Sequence, residues 1–141
     1  MANVIADRVL ETSTTKGDGN YRLHGAVSGF RTVASVAISL DTFPYFAEEV
    51  GPDGAPSGDW EVGVGTLNSD GSITRTTIHT SSNDDEAVDW GPGTRRIGIG
   101  LSAAVYLDLV TRLEINAYIV PVVDAAVGDL IDILGIYQLS T

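Results

Sequence analysis

Alternation is the dominant pattern of apolar and polar positions in this chain, and it is clearest over residues 60–78. Trp60, Val62 and Val64 fall on one side and Glu61, Gly63 and Gly65 on the other. A period of two is what a half-buried strand needs, because successive side chains leave opposite faces of a sheet. Asn68-Ser69-Asp70-Gly71 supplies turn chemistry, and residues 73–78 return rich in β-branched side chains. The pattern predicts a hairpin with Trp60, Val62 and Val64 on the core side. Ile73 and Ile78 have opposite parity, which predicts either burial on both faces or a bulge.

Upstream, residues 4–10 read as a first strand with a polar continuation over 11–15. The cluster Gly17-Asp18-Gly19-Asn20 reads as a turn, and Tyr21, Leu23, Gly25 and Val27 read as one face of a second strand. Residues 30–40 also alternate: Phe30, Thr32, Ala34, Val36, Ile38 and Leu40 share a side, which favours a strand over a helix. Pro44 marks a strand start or edge, and 45–48 forms a short aromatic strand. Residues 51–59 and 81–86 are loops. Residues 94–101 close the series with Ile97, Ile99 and Leu101 on one face; Gly98 and Gly100 opposite predict a close neighbour or a bulge.

From residue 103 the apolar spacing changes to three and four. Tyr106, Val110, Leu113, Ala117 and Val120 form one seam, and after Pro121 a second runs through Val123, Val127, Leu130, Leu134 and Tyr137. Proline cannot donate an intrahelical hydrogen bond, so the helical segment is expected to kink or break near Pro121. Val105, Leu107, Leu109, Ile115, Ile119, Val122, Ile131 and Ile133 lie off the seams. A helix apolar on several sides wants burial on several sides, which self-association supplies. The fold-class expectation is mainly β: an antiparallel β-sandwich or barrel-like domain over 1–102, then an α-helical oligomerisation or docking segment over 103–141. Its assembly contacts are expected at Val110, Leu113, Val123, Val127, Leu130 and Leu134.

Composition narrows the functional classes. A chain of 141 residues with a net charge of −11 is poorly suited to phosphate backbones, so no nucleic-acid partner is expected. The chain has no cysteine, which removes disulfides, zinc thiolates and thiol catalysis. Neither a secretory signal nor an uncharged apolar run of membrane-spanning length is present, so no membrane insertion is expected. The segment after Ser102 carries one basic and five acidic side chains, a balance of −4.

Candidate chemistry is sparse. His24 and His79 are the only histidines, and neither falls in a triad or elbow pattern. Asp84, Asp85, Glu86 and Asp89 are the strongest metal candidates, since oxygen ligands suit calcium. Their spacing does not match an EF-hand, and the solvated loop is the favoured reading. Tyr45, Phe46, Trp60 and Trp90 offer a sugar-stacking platform, with Tyr45 and Trp90 as the ligand-facing pair, set against core packing as the commoner role of aromatics. Neither Gly17-Asp18-Gly19 nor Gly98-Ile99-Gly100 has the residues of a phosphate loop. No cofactor is expected and no catalytic residues are assigned.

Several blocks together resemble a known family. These are Asp7-Arg8-Val9, Glu11-Thr12-Ser13-Thr14-Thr15, Gly17-Asp18-Gly19, Tyr21-Arg22-Leu23 and the run from Gly25 to Thr32. They continue with Tyr45-Phe46-Ala47, Trp60-Glu61-Val62-Gly63-Val64-Gly65-Thr66, Thr74-Arg75-Thr76-Thr77, Ser81-Ser82-Asn83 and Val88-Asp89-Trp90-Gly91-Pro92-Gly93-Thr94. In this order, over about residues 5–103, they are similar to a β-rich domain of tailed bacteriophages and prophages, found near the N-terminus of tail-fibre and related tail proteins. Asp84-Asp85-Glu86 departs from the Gly-rich loop more typical there. The resemblance implies a non-enzymatic structural protein of the virion, usually a homotrimer, with other tail or baseplate proteins as partners. With about forty residues after the domain, a short tail fibre or baseplate adaptor is the expectation. A receptor- or carbohydrate-binding module contacting a host glycan or protein, and a capsid decoration protein, are the alternatives.

Overall fold

The computed structural model of the protein describes residues 1–114. Its β-strands are β1 (Leu10–Ser13), β2 (Thr42–Val50), β3 (Pro56–Leu67), β4 (Ile73–Ser81) and β5 (Thr94–Ile99), with a 3₁₀ turn at Val33–Ser35. The protein is mainly β. All strand pairs are antiparallel, and the sheet order is β1-β5-β2-β3-β4. After the meander β2-β3-β4 the chain returns to lay β5 beside β2, a Greek-key connection. The sheet is open, with β1 and β4 at its edges, rather than closed into a barrel. A helix, α1, covers residues 103–114. The chain divides into two units, Met1–Ala104 and Val105–Thr141.

The hairpin forms where the alternation places it, but its faces are exchanged. Glu61, Gly63, Gly65 and Leu67 are buried, whereas Trp60 is 41% exposed and Val62 and Val64 are half-buried. The glycines make the inward face possible. A Cβ on Gly65 would sit 2.7 Å from Ile73 Cγ2 and 3.3 Å from the rings of Phe43 and Tyr45, and one on Gly63 would collide with the Thr77 carbonyl oxygen. Close approach of neighbouring groups takes the volume that side chains would fill. Of the two arrangements the parity of Ile73 and Ile78 allowed, β4 takes the bulge: the register against β3 skips Thr76 and His79, which brings Ile73 opposite Leu67 and Ile78 opposite Gly63 on the same face.

Residues 4–10 do not form a strand, because Arg8 takes a positive φ of 58° and breaks the extended run before β1. Residues 21–27 contribute only isolated bridges, Tyr21 to Ile73 and Ala26 to Glu11, with Gly25 at φ 115° turning the chain. The strand expected over 30–40 is replaced by the 3₁₀ turn. Val33 and Ala37 are buried four residues apart, and the amides of Val36 and Ala37 both bond to Val33 O. Of the set predicted to share one face, Phe30, Ala34, Ile38 and Leu40 are exposed, and Thr32 and Val36 are half-buried. Tertiary bonding decides this: the Val33 N–H, which opens the turn, donates to buried Glu11 Oε2 at 2.7 Å.

β2 is longer than the four residues expected and lies between β5 and β3. Pro44 sits where the β5 ladder ends, its carbonyl accepting from Gly100 N at 3.1 Å. No second sheet covers the inner face among the described residues. Ordered connections do, through Tyr21, Val33, Val88 and Trp90, packed on Phe43, Ala47, Ile73 and Ile97 of the sheet. On the outer face Phe46 lies over β5, so that a Cβ on Gly98 would stand 2.6 Å from its ring. That is the close neighbour the two β5 glycines predicted.

Candidate functional site

The densest constellation of polar groups lies on the buried face of the sheet. β3 turns Glu61 inward with no exposed surface, and β4 turns Arg75 toward it. Glu61 Oε1 accepts from Arg75 Nε at 2.9 Å, from the Tyr21 hydroxyl at 2.9 Å and from the Tyr45 hydroxyl. Oε2 accepts from Arg75 Nη2 and, at 2.9 Å, from the backbone N–H of Val88. Arg75 Nη2 also donates to Val88 O at 3.0 Å, and the Trp90 indole N–H donates to the Tyr21 hydroxyl at 2.9 Å.

Ring contacts tighten the same group. The Arg75 guanidinium lies 5.2 Å from the Tyr21 ring centre, and Tyr21 meets Tyr45 edge-on at 5.8 Å. Beside it, Arg95 stacks 4.9 Å over Trp90 and donates to Gly91 O at 2.6 Å and to Thr15 O. β2, β3, β4 and the two loops carrying Tyr21 and Val88–Trp90 are thus tied to one carboxylate.

The electrostatics follow from burial and pairing. Burial opposes ionisation of Glu61, but the hydrogen bonds from Arg75, Tyr45 and the Val88 amide overcome it and hold the carboxyl below its ordinary pKa. Burial, reinforced by the Glu61 charge and by their bonds to it, raises Tyr21 and Tyr45 far above an ordinary phenol. Both phenols therefore stay protonated and donate to a carboxylate that is ionised above the ordinary carboxylate range. Three donors on one oxygen and two on the other leave the carboxylate no open side for a substrate or a metal. What the arrangement does is fix the relative positions of strands and loops.

The sequence-selected residues fall elsewhere or play other parts. Tyr45 and Trp90 do not face a ligand: they are 0% and 2% exposed, and both belong to the network, a correction to their reading as surface aromatics. Asp84 and Asp85, at φ 50° and 63°, form the centre of a tight turn closed by Glu86 N to Asn83 O at 2.9 Å. Asp85 Oδ1 accepts from Thr80 Oγ1 and Ser81 N at 2.9 and 3.1 Å, so it is spent on its own loop. Glu86 and Asp89 are exposed. Among the described residues, no three His, Cys, Asp or Glu side chains come together as a metal site. His24 approaches Thr14 Oγ1 at 3.4 Å on the surface, and His79 sits at the second β4 bulge.

Of the expected assembly residues, Val110 is half-buried and Leu113 is 60% exposed on α1. Val123, Val127, Leu130 and Leu134 lie outside the described residues. No described helix is long and apolar enough to cross a membrane. The pairing of Glu61 with Arg75 escaped sequence reasoning, although a signal was present: each is the lone charge in a run otherwise suited to a sheet interior. No family model, no curated protein and no solved structure matches the chain.

Proposed function

We propose that this chain is a structural protein of a tailed-bacteriophage virion, a short tail fibre or a baseplate or tail-tip adaptor, acting by assembly and attachment rather than by catalysis. The β-unit is its rigid part. The segment from residue 103 carries its association with further copies, a homotrimer in this reading, and with other tail proteins. One observation carries the proposal: the blocks that resemble phage tail domains converge in a single buried network. Tyr21, Tyr45, Glu61, Arg75, Val88 and Trp90 come from five separate blocks and meet around one carboxylate. The resemblance therefore follows the residues that hold the fold together, which is what a shared domain architecture requires. An antibody against the β-unit, applied to purified phage particles from a strain encoding the protein, should decorate the tail tip. Particles that carry neither label nor tryptic peptides of the chain would refute the assignment.

A second reading, attachment to a host glycan, is favoured by Trp60. It stands 41% exposed on the outer face, in one cross-strand row with Glu48, Arg96 and Thr12. An indole can stack on a sugar ring while Glu48 and Arg96, paired at 3.3 Å, bond its hydroxyls. An array of bacterial surface glycans probed with the protein and with Trp60→Ala decides it: binding must appear, and must be lost in the variant.

A further inference from the structure

An aspartate followed by glycine can rearrange its own backbone. The glycine nitrogen attacks the aspartate Cγ: the N–Cγ bond forms, the Cγ–OH bond breaks, and the amide proton leaves with the hydroxyl as water. A second water reopens the resulting succinimide at either carbonyl. One opening restores aspartate; the other gives isoaspartate, whose main chain runs through Cβ and Cγ and is one carbon longer. The attack is easiest with an unbonded N–H, a free carboxyl in its protonated form and no Cβ on the attacking residue.

The chain holds three such pairs, Asp18-Gly19, Asp53-Gly54 and Asp70-Gly71. The fold engages two of them at both reacting groups. Gly54 N–H donates to Gly51 O at 2.9 Å, and Asp53 Oδ1 accepts from Ala55 N at 3.1 Å. Gly71 N–H donates to Asn68 O at 3.0 Å, and Asp70 Oδ1 accepts from the Ser72 hydroxyl and amide at 2.6 and 3.0 Å. The Ser72 bonds also hold the Asp70 carboxyl below its ordinary range, which depletes the protonated form. At Asp18-Gly19 neither the amide nor the carboxyl is bonded, and both residues are exposed.

We propose that the folded chain forms isoaspartate at Asp18-Gly19, and that the change loosens the seat of Tyr21. Residues 18–20 span the gap between two pinned points. Gly17 and Trp90 exchange backbone bonds of 2.9 and 3.1 Å, and Tyr21 and Ile73 exchange two of 2.9 Å. A main chain one carbon longer between those pins must displace one of them. Each pin carries a residue of the inner-face network, where the Trp90 indole donates to the Tyr21 hydroxyl at 2.9 Å. The inference concerns the β-unit alone and stands apart from the assembly reading.

The full chain is aged at neutral pH in water enriched in oxygen-18, once folded and once in urea, then digested in ordinary water. Every ring opening leaves one solvent oxygen in the pair, and fragmentation assigns it to the aspartate. Trypsin isolates residues 17–22, and cleavage after glutamate separates 50–61 from 62–86. In the folded chain 17–22 should label at least about ten-fold faster than the other two pairs, where a bonded amide and a bonded carboxyl must first be released. In urea the three rates should converge. Gly19→Ala should suppress labelling at Asp18 and keep the circular dichroism, since a Cβ there meets nothing within 4 Å. Chains carrying isoaspartate at 18, separated by chromatography, should unfold at lower urea than unmodified ones. Equal labelling of the three pairs in the folded chain, a preference that persists unchanged in urea, or an isoaspartate form with the unmodified midpoint overturns the proposal.

Discussion

Glu61 is the residue on which the inner face turns. A buried ion pair contributes little net stability over an apolar pair of similar volume, yet removing one partner strands the other charge at a cost of about 3–5 kcal/mol. Glu61→Gln should therefore lower the unfolding free energy by about 3 kcal/mol or more in urea titrations, since Arg75 keeps its charge among aromatic rings. Replacing both Glu61 and Arg75 by leucine should cost less than the two single changes added together; simple additivity would mean the pair is not coupled. Because the Glu61 pKa is lowered on folding, its contribution is complete above the ordinary carboxylate range and disappears as pH falls through and below it. Tyr21 and Tyr45 are raised, so theirs holds below the ordinary phenol range and weakens above it. Stability measured against pH should fall at both ends, and Glu61→Gln should flatten the acid limb. Leu40 is strained instead: at φ 74° and 58% exposed, it follows Ser39 in a turn closed by Asp41 N to Ile38 O at 3.0 Å. Such a position favours Gly or Asn, so Leu40→Asn should stabilise by up to about 1 kcal/mol. A lowered melting temperature would show that the leucine side chain is needed there.

At the scale of elements, β3 shows how period and polarity part company. Alternation locates the strand because pleating alone produces it, but which face turns inward depends on what stands opposite. Small glycines on one side admit Ile73, Phe43 and Tyr45, and the charge that precedes them, Glu61, finds Arg75. The larger apolar set, Trp60, Val62 and Val64, is left outside. The two tryptophans of the chain report this difference. With Trp90 replaced by Phe, the remaining Trp60 emission should be red-shifted and readily quenched by acrylamide; with Trp60 replaced, Trp90 emission should be blue-shifted and protected. Equal quenching would contradict the assignment of faces. Truncation should divide in the same way, with Trp90→Ala costing about 3–5 kcal/mol and Trp60→Ala clearly less. The 3₁₀ turn at Val33–Ser35 teaches the converse. Alternation over 30–40 predicted a strand, and a single carboxylate from β1 capturing the Val33 amide made a turn the better arrangement.

For the whole molecule, the β-unit Met1–Ala104 holds its own core and all five strands. A chain ending after Ala104 should keep the near-ultraviolet dichroism of the full protein and melt cooperatively; a melt without a transition would mean that the core is incomplete without residues 105–141. By itself, the sequence determined the β class, the central hairpin and its Asn68–Gly71 turn, the inward Ile97 and Ile99 of β5 (though not Leu101, which is exposed) and the onset of helical spacing at residue 103. These are local matters, fixed by pleat, turn chemistry and spacing, and they need no knowledge of distant residues. Tertiary structure decided the inward face of β3, the collapse of 30–40 into a turn, the burial of Tyr45 and Trp90, and the meeting of Tyr21, Glu61, Arg75 and Val88. Each of those depends on partners many residues away: 40 positions separate Tyr21 from Glu61, and 69 separate Tyr21 from Trp90. A buried charge can be placed only once its counter-charge and donors are in position, and only the folded chain brings them together.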